Sequence, residues 1–582
     1  MKKLCFYAVM FAAGFAAMGC SSDNDVVQEQ TSLNNKFDAK GNAYVNIAIN
    51  MPTSTGGTRA NETYDDGLAT EYNVKDAVLV LFNGSNTNEG AATFVSASVM
   101  NNSVGHGLDN VRISDKILFT QKINKGTANL TGSTGLMAFL VVNANGKFVV
   151  GDDNTLTING TPFSGTFADL KILTLNDIGN TTDGLLMTNA PMSSKPGKGN
   201  DPSGASISYL TAINADDIYN SETDAYNGDN FIDIFVERAA AKVNVTSSAN
   251  GTLIDGTVTY STNDIKWIIE NYNTDYYIER KISNSYFGST NAHLASVNYR
   301  FVDSQPVETN ITLYRTYWAE DPNMGGVPDD HSTIAGTQAD ITGWNALSAI
   351  NYIAENTINQ NSLKQENTTR VILAVPFNNG NDFYTTSWAG SDIIVSSGDI
   401  AASALAFVKS LPSYSTWKAA QSNPSYDVTA VTVTPTEVNS ETTGAATITA
   451  ISVSSGASDA GDILTEANQK SQISYFKDGL AYYKVLIRHF DDTEAPLAHT
   501  VNGTTYNDIY GDVEANRTRD FLGRYGIVRN NWYNIDLQGI KHIGKPSVPE
   551  IPADTPNDEI DAYLKVRINI LSWAKRRQSV TL

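Results

Sequence analysis

Alternation with a period of two constrains this chain more than any other feature. In the run Ala43-Tyr44-Val45-Asn46-Ile47-Ala48-Ile49-Asn50-Met51, every second residue is apolar. Successive side chains of a strand point to opposite faces, so Ala43, Val45, Ile47, Ile49 and Met51 share one face and predict a half-buried strand. The same pattern returns near the far end. There Leu564, Val566, Ile568 and Ile570 oppose Lys565, Arg567 and Asn569, and residues 578–582 repeat it with Val580 and Leu582. Between them, residues 77–82, 116–122, 136–143, 231–236, 242–246, 265–270, 311–316, 370–375 and 446–453 also read as strands. Residues 473–490 read as a hairpin around Asp478-Gly479, a pair that accepts the positive φ of a tight turn. Residues 146–230, rich in Gly, Asn, Asp and Ser, read as long surface loops. Helical spacing is confined to residues 341–355 and 400–411, the latter with Asp399 as its N-cap. Strands at intervals with turns between them predict a mainly β fold of two β-sandwiches, divided near Val245.

The N-terminal end carries an address. Lys2 and Lys3 precede an apolar stretch over residues 4–17, and Ala17-Met18-Gly19-Cys20 comes next. A positive start, a short apolar core and a small-residue site make residues 1–19 a signal peptide rather than a spanning helix. A cysteine at the cleavage point matches a lipobox, with lipid (palmitate among its chains) on Cys20. Cys5 lies inside the signal, so the mature chain keeps only Cys20 and forms no internal disulfide. Residues 20–40 form a polar tether, and the reading places the protein outside the cytoplasm. A length of 582 residues suits two domains, and 41% hydrophobic residues can fill their cores. The net charge of −22 excludes nucleic acid as a natural partner.

Toward the other end Pro546, Pro549, Pro552 and Pro556 punctuate an acidic stretch. As extended polyproline, this linker would hold the terminal strand ~40 Å off the body. That strand has two readings: an edge strand on its own domain, or a strand offered to another molecule.

Catalytic motifs are scarce. The six histidines, His106, His293, His331, His489, His499 and His542, are scattered. Ser474-Tyr475-Phe476-Lys477 has the spacing of a nucleophilic S-x-x-K, but it leads into a turn where that motif needs a helix. Asp329-Asp330-His331 and His489-Phe490-Asp491-Asp492 read as solvated acidic turns before they read as metal ligands. No enzyme, cofactor or metal is expected.

Several segments in order suggest a family: Val74-Lys75-Asp76-Ala77-Val78-Leu79-Val80-Leu81-Phe82, then Val236-Glu237-Arg238-Ala239-Ala240-Ala241-Lys242-Val243, then Tyr525-Gly526-Ile527-Val528-Arg529-Asn530-Asn531-Trp532-Tyr533. With the tail and the lipobox, the chain resembles the fimbrillins of type V pili, in particular the short-fimbria (Mfa-type) major subunits. The resemblance implies two transthyretin-like β-sandwich domains, an exchangeable N-terminal strand and a C-terminal donor tail. It implies an outer-membrane lipoprotein precursor, cut by an arginine-specific extracellular protease, that becomes a cell-surface fimbria serving adhesion or biofilm formation. Its partners would be copies of itself and other fimbrial subunits at tip and anchor.

Carried onto this sequence, residues 41–59 form the removed propeptide, cut between Arg59 and Ala60, with Val45, Ile47, Ile49 and Met51 on the displaced strand. Residues 60–245 and 246–544 form the two sandwiches, and residues 545–582 the linker and donor strand, with Leu564, Val566, Ile568, Ile570, Val580 and Leu582 as its apolar row. A surface glycan-binding lipoprotein and a tip or anchor subunit are the alternatives.

Overall fold

The computed structural model describes residues 33–51, 68–100, 116–130, 135–197, 205–254, 256–282, 301–303, 306–307, 312–324, 326–330, 335–359, 362–438, 441–492, 495, 499–501, 504–506, 523–551, 553–558, 564–572 and 576–577. Cys20, Arg59, Ala60, Val580 and Leu582 lie outside the described residues, as do His106, His293 and His331.

The first half is built on one large sheet. Its strands are β1 (Asn42–Asn50), β2 (Ala77–Gly84), β3 (Thr93–Val99), β4 (Lys116–Asn124), β5 (Gly135–Val142), β6 (Met187–Asn189), β7 (Thr211–Ile213), β8 (Ile218–Tyr219) and β9 (Ile232–Arg238). They run β8-β1-β9-β6-β5-β2-β3, with β4 on β1 and β7 on β5. The continuous apolar run of β2 is buried on both faces. Leu79 and Leu81 join Val45, Ile47 and Ile49 in one core, whereas Val78, Val80 and Phe82 join a second. That second core also takes Ile278, Phe301, Trp318, Phe490 and Val528, so apolar packing runs unbroken from one half of the chain into the other.

The loops expected over residues 146–230 carry structure instead. α1 (Phe167–Lys171) is capped by Thr166 and α2 (Glu222–Tyr226) by Ser221, and Phe148, Leu156, Phe167 and Leu170 are buried. Their apolar runs are short, as in Phe148-Val149-Val150 and Leu185-Leu186-Met187, and glycines and polar residues break them before a strand pattern repeats.

The second half begins where β9 gives way to β10 (Ala241–Ser247), which enters a different sheet. Val245 therefore lies inside a strand, and the change of sheet falls at Ala239-Ala240. No turn signal marks it, because the backbone crosses between sheets without reversing. The next strands are β11 (Lys266–Glu270), β12 (Asn345–Ala346), β13 (Ile350–Ile353), β14 (Arg370–Pro376), β15 (Phe383–Thr386) and β16 (Gly390–Ser396). After α3 (Ile400–Ser410) and α4 (Pro412–Ala419) come β17 (Val428–Val438), β18 (Glu441–Val453) and α5 (Gly461–Lys470). The chain ends on β19 (Ile473–Phe476), β20 (Leu480–Leu486), β21 (Asn531–Ile540), β22 (Leu564–Ser572) and β23 (Arg576–Arg577).

Sheets β13-β10-β21-β22-β23 and β12-β11-β14-β20 close on a shared core that includes Val243, Trp267, Leu373 and Ile535. A third sheet, β16-β15-β19-β18-β17, packs with α3, α4 and α5 around its own core of Ala404, Val408, Trp417, Ile448 and Ile463.

Residues 341–355 form no helix: they make β12, a turn and β13, because Ser348 takes φ 67°, which a helix excludes. Residues 400–410 are helical, although the Asp399 side chain makes no capping hydrogen bond. At Asp478-Gly479 the φ angles are 52° and 67°, as the turn requires. The flanking strands, however, do not pair: β19 belongs to the third sheet and β20 to the sandwich. Phe476 stacks on Phe383 with ring centroids 4.4 Å apart, and this fastens β19 to β15.

Candidate strand-exchange site

Strand β1 occupies a slot bonded along both edges. On one edge it runs antiparallel to β4 over its whole length, from Asn42 opposite Asn124 to Asn50 opposite Lys116. On the other it pairs with β8 at Tyr44 and Val45 and runs parallel to β9 from Ile47 to Asn50. Val45, Ile47 and Ile49 are fully buried and Met51 nearly so, which is where alternation put them.

The outer face departs from the half-buried expectation. Asn46, Ala48 and Asn50 are at most 3% exposed, because α2 and the turn after it lie across the strand. The Asn46 side-chain amide donates to the carbonyls of Ala225 and Gly228, and its oxygen accepts from the Thr120 hydroxyl at 2.8 Å. The Asn50 side-chain amide donates to the Asp233 carboxylate at 2.9 Å. These bonds offset the cost of burying two amides. In sequence Asn46 reads as a solvent-facing residue, since alternation alone says nothing of a cover.

At the other end, β22 lies antiparallel on β21, with Ile540 opposite Leu564 and Asn531 opposite Ser572. Leu564, Val566 and Ile568 are buried in the core of the second sandwich, and Ile570 pairs with Tyr533. The tail strand is thus docked on its own chain, flanked on its outer edge by β23.

The proline linker departs from the free spacer expected of it. Its backbone bonds to Tyr482 at Lys545, to Thr337 at Val548 and to Gln365 at Thr555. Asp558 accepts three hydrogen bonds from Arg524, at 2.7, 3.0 and 3.2 Å, and one from the Tyr525 hydroxyl at 2.9 Å. Backbone groups between prolines still need partners, and here the body supplies them.

Residues 501–579, which span β21, this linker and β22, match the family model described as Major fimbrial subunit protein type IV, Fimbrillin, C-terminal. This segment is similar to a fimbrillin C-terminus.

Solved structures align with most of the chain at low identity and low TM-score. A candidate cell adhesion protein from Parabacteroides distasonis has 10% identity and a TM-score of 0.33, covering 92% of this chain and 98% of its own. A fimbrilin from Porphyromonas gingivalis has 12% identity and a TM-score of 0.32, over 92% and 98%. The tip fimbrial protein Mfa3 from Porphyromonas gingivalis has 10% and 0.29, over 91% and 100%. No curated protein matches the sequence.

The residues just before β2 are pinned at the junction of the halves. Glu71 is fully buried, and its carboxylate takes the Lys242 ammonium at 2.7 Å and the Tyr352 hydroxyl at 2.6 Å. Arg238 donates to the Glu71 carbonyl, and Lys242 sits 3.7 Å from the Trp532 ring centroid. Burial alone would raise the Glu71 pKa, but the bonds from Lys242 and Tyr352 hold it below the usual carboxylate range. In sequence Arg238 and Lys242 lie in a segment that carries the resemblance, Lys242 also at the start of an expected strand, and nothing there points to their bonds with Glu71.

The fragments around His489 and Ser474 are held by hydrogen bonds and strand pairing. His489 Nδ1 lies 2.8 Å from the Tyr533 hydroxyl, and Asp492 accepts from Arg488 and Arg524. Ser474 is an interior residue of β19, with Lys477 beyond its end. Among the described residues no three His, Cys, Asp or Glu side chains cluster as a metal would need.

Proposed function

We propose that this chain is a structural shaft subunit of a cell-surface fimbria, exported as a lipoprotein on Cys20, cut after Arg59 and polymerised by donor-strand exchange. In this reading residues 41–59 leave, residues 60–245 and 246–544 form transthyretin-like sandwiches, and the tail after residue 545 fills the vacated slot of a neighbour. The similarity to a fimbrillin C-terminus supports the family. The observation that carries the mechanism is β1, bonded along both edges, buried on both faces, and followed in sequence by the stretch that holds Arg59.

A slot of that kind stays filled while its strand is tethered. Each large apolar side chain contributes roughly 1.5–3 kcal/mol when buried, and ordering the backbone costs ~1–2 kcal/mol per residue. The tail offers a similar apolar row, so intrinsic affinity separates the two strands little. A tethered strand, however, competes at an effective concentration on the order of mM, which a separate subunit does not reach. Cutting after Arg59 removes that advantage and severs the lipid in one step. The outer membrane thus holds the precursor but not the assembled subunit.

N-terminal sequencing of fibre subunits tests the reading: they should begin at Ala60. A chain truncated after Glu559 should stay monomeric on a sizing column, where the full tail, after the cut, should give polymers. Fibres whose subunits retain residues 43–51 would falsify strand exchange.

A further inference from the structure

We propose that α2 reads the outer face of whichever strand fills the slot, and that Asn569 of a second copy's tail takes the seat Asn46 holds in the precursor. The inference rests on the strand-exchange reading and adds to it a register and a residue that sets it.

The seat belongs to the recipient. Its acceptors are the Ala225 and Gly228 carbonyls, and its donor is the Thr120 hydroxyl. All three lie beyond Arg59, so they remain after the cut, and together they call for one group that both donates and accepts. A carboxamide does this, whereas an aliphatic or basic side chain leaves at least one of them unpaired in a buried place. Residues 564–582 contain two carboxamides, Asn569 and Gln578, and only Asn569 is flanked by apolar residues, Ile568 and Ile570, as Asn46 is by Val45 and Ile47.

Running in the same direction as β1, the tail in this register places Val566, Ile568 and Ile570 in the pockets of Ala43, Val45 and Ile47, with Ser572 at that of Ile49 and Ala574 at that of Met51. Arg567 then falls at the position of Tyr44, beside β8. Charge favours the same arrangement. Residues 214–233, which carry β8 and α2, hold Asp216, Asp217, Glu222, Asp224, Asp229 and Asp233 and no Lys or Arg. Residues 564–582 hold Lys565, Arg567, Lys575, Arg576 and Arg577 and no acid, while residues 42–51 hold no charge at all. The cover over the slot therefore attracts the incoming strand and is indifferent to the departing one, which speeds encounter with the right segment.

Cysteine pairing reads the register directly. Cys5 and Cys20 both precede Arg59, so cut subunits carry no other thiol. Tyr44 stands opposite Lys122 and Asn42 opposite Asn124, so Arg567→Cys should meet Lys122→Cys of the neighbouring subunit, within reach of a disulfide. Fibres sheared from cells expressing Lys122→Cys/Arg567→Cys should give a covalent ladder on a non-reducing gel. Lys122→Cys/Lys565→Cys and Asn124→Cys/Arg567→Cys, which test slips of two residues either way, should not.

Asn569→Ala should slow fibre growth about tenfold, with the monomer's thermal unfolding unchanged. A ladder from either slipped pair, fibres with no ladder from any pair, or unaltered growth of Asn569→Ala would overturn the register while leaving strand exchange standing. Fibres whose subunits keep residues 43–51 would remove both.

Discussion

At the scale of single residues, buried polar groups separate what alternation can foresee from what it cannot. Val45, Ile47 and Ile49 are buried where their spacing put them, because an apolar row needs only one partner face. Asn46 is buried for a different reason, a cover formed far along the chain, and no local pattern encodes that. Glu89 is another such group. It is 7% exposed, one carboxylate oxygen accepts from the Tyr209 backbone at 2.8 Å, and the other has no hydrogen-bond partner among the described residues. Burial pushes its pKa up to about 7, against a smaller pull from the Tyr209 and Leu210 amides. The folded chain therefore holds this proton more tightly than the unfolded chain does. Full stability is present below the ordinary carboxylate range, and it is lost as the pH rises from there to about 7. Glu89→Gln should remove that loss, raising stability at pH 8 by on the order of 2 kcal/mol relative to wild type while changing little at pH 4. Urea unfolding at the two pH values measures it, and an equal effect at both would rule the assignment out.

At the scale of elements, the third sheet with its helices behaves as a module set into the second sandwich. Its core of Ala404, Val408, Trp417, Ile448 and Ile463 is its own, and chain entry and exit are held together by β15 on β19 and by a backbone bond from Ser387 to Gln472. Replacing residues 388–471 with a short Gly-Ser loop should leave a chain that folds and still forms fibres, seen by electron microscopy. Collapse of the whole fold would show that the module is integral. The sequence displayed parts of this module, the helix over residues 400–410 and the strand ending at Val453, but not their grouping. The strongest local signal, Asp478-Gly479, gives the right backbone angles but the wrong pairing, since the strands on either side enter different sheets. A turn fixes the φ of two residues, whereas the partner of each strand is chosen by side chains such as Phe383 and Phe476, distant in sequence. Helical spacing over residues 341–355 misled because a short run fits two periods at once, and Ser348 decides between them. Strands β1 and β22 are legible in sequence because each is long enough for alternation to repeat several times.

Across the whole molecule, the two halves are locked rather than hinged. Besides the shared apolar core, Arg280 donates to both oxygens of Glu237 at 2.7 and 2.8 Å, and Glu71 ties the first half to Lys242 and Tyr352 of the second. Lys242→Ala would strand a buried carboxylate, at a cost of about 3–5 kcal/mol in chemical denaturation. Pairing it with Glu71→Gln should recover much of that loss; no recovery would mean the stability resides in the Lys242 side chain's packing on Trp532. Asp558 stays fastened by Arg524 and Tyr525 right up to the threshold of the tail. Only residues 559–563 separate that fastening from the first residue of β22, a span of at most ~20 Å. In a filament joined through this tail, neighbouring bodies would abut with almost no free tether between them. Its flexural rigidity would then be that of stacked blocks, not of beads on a string.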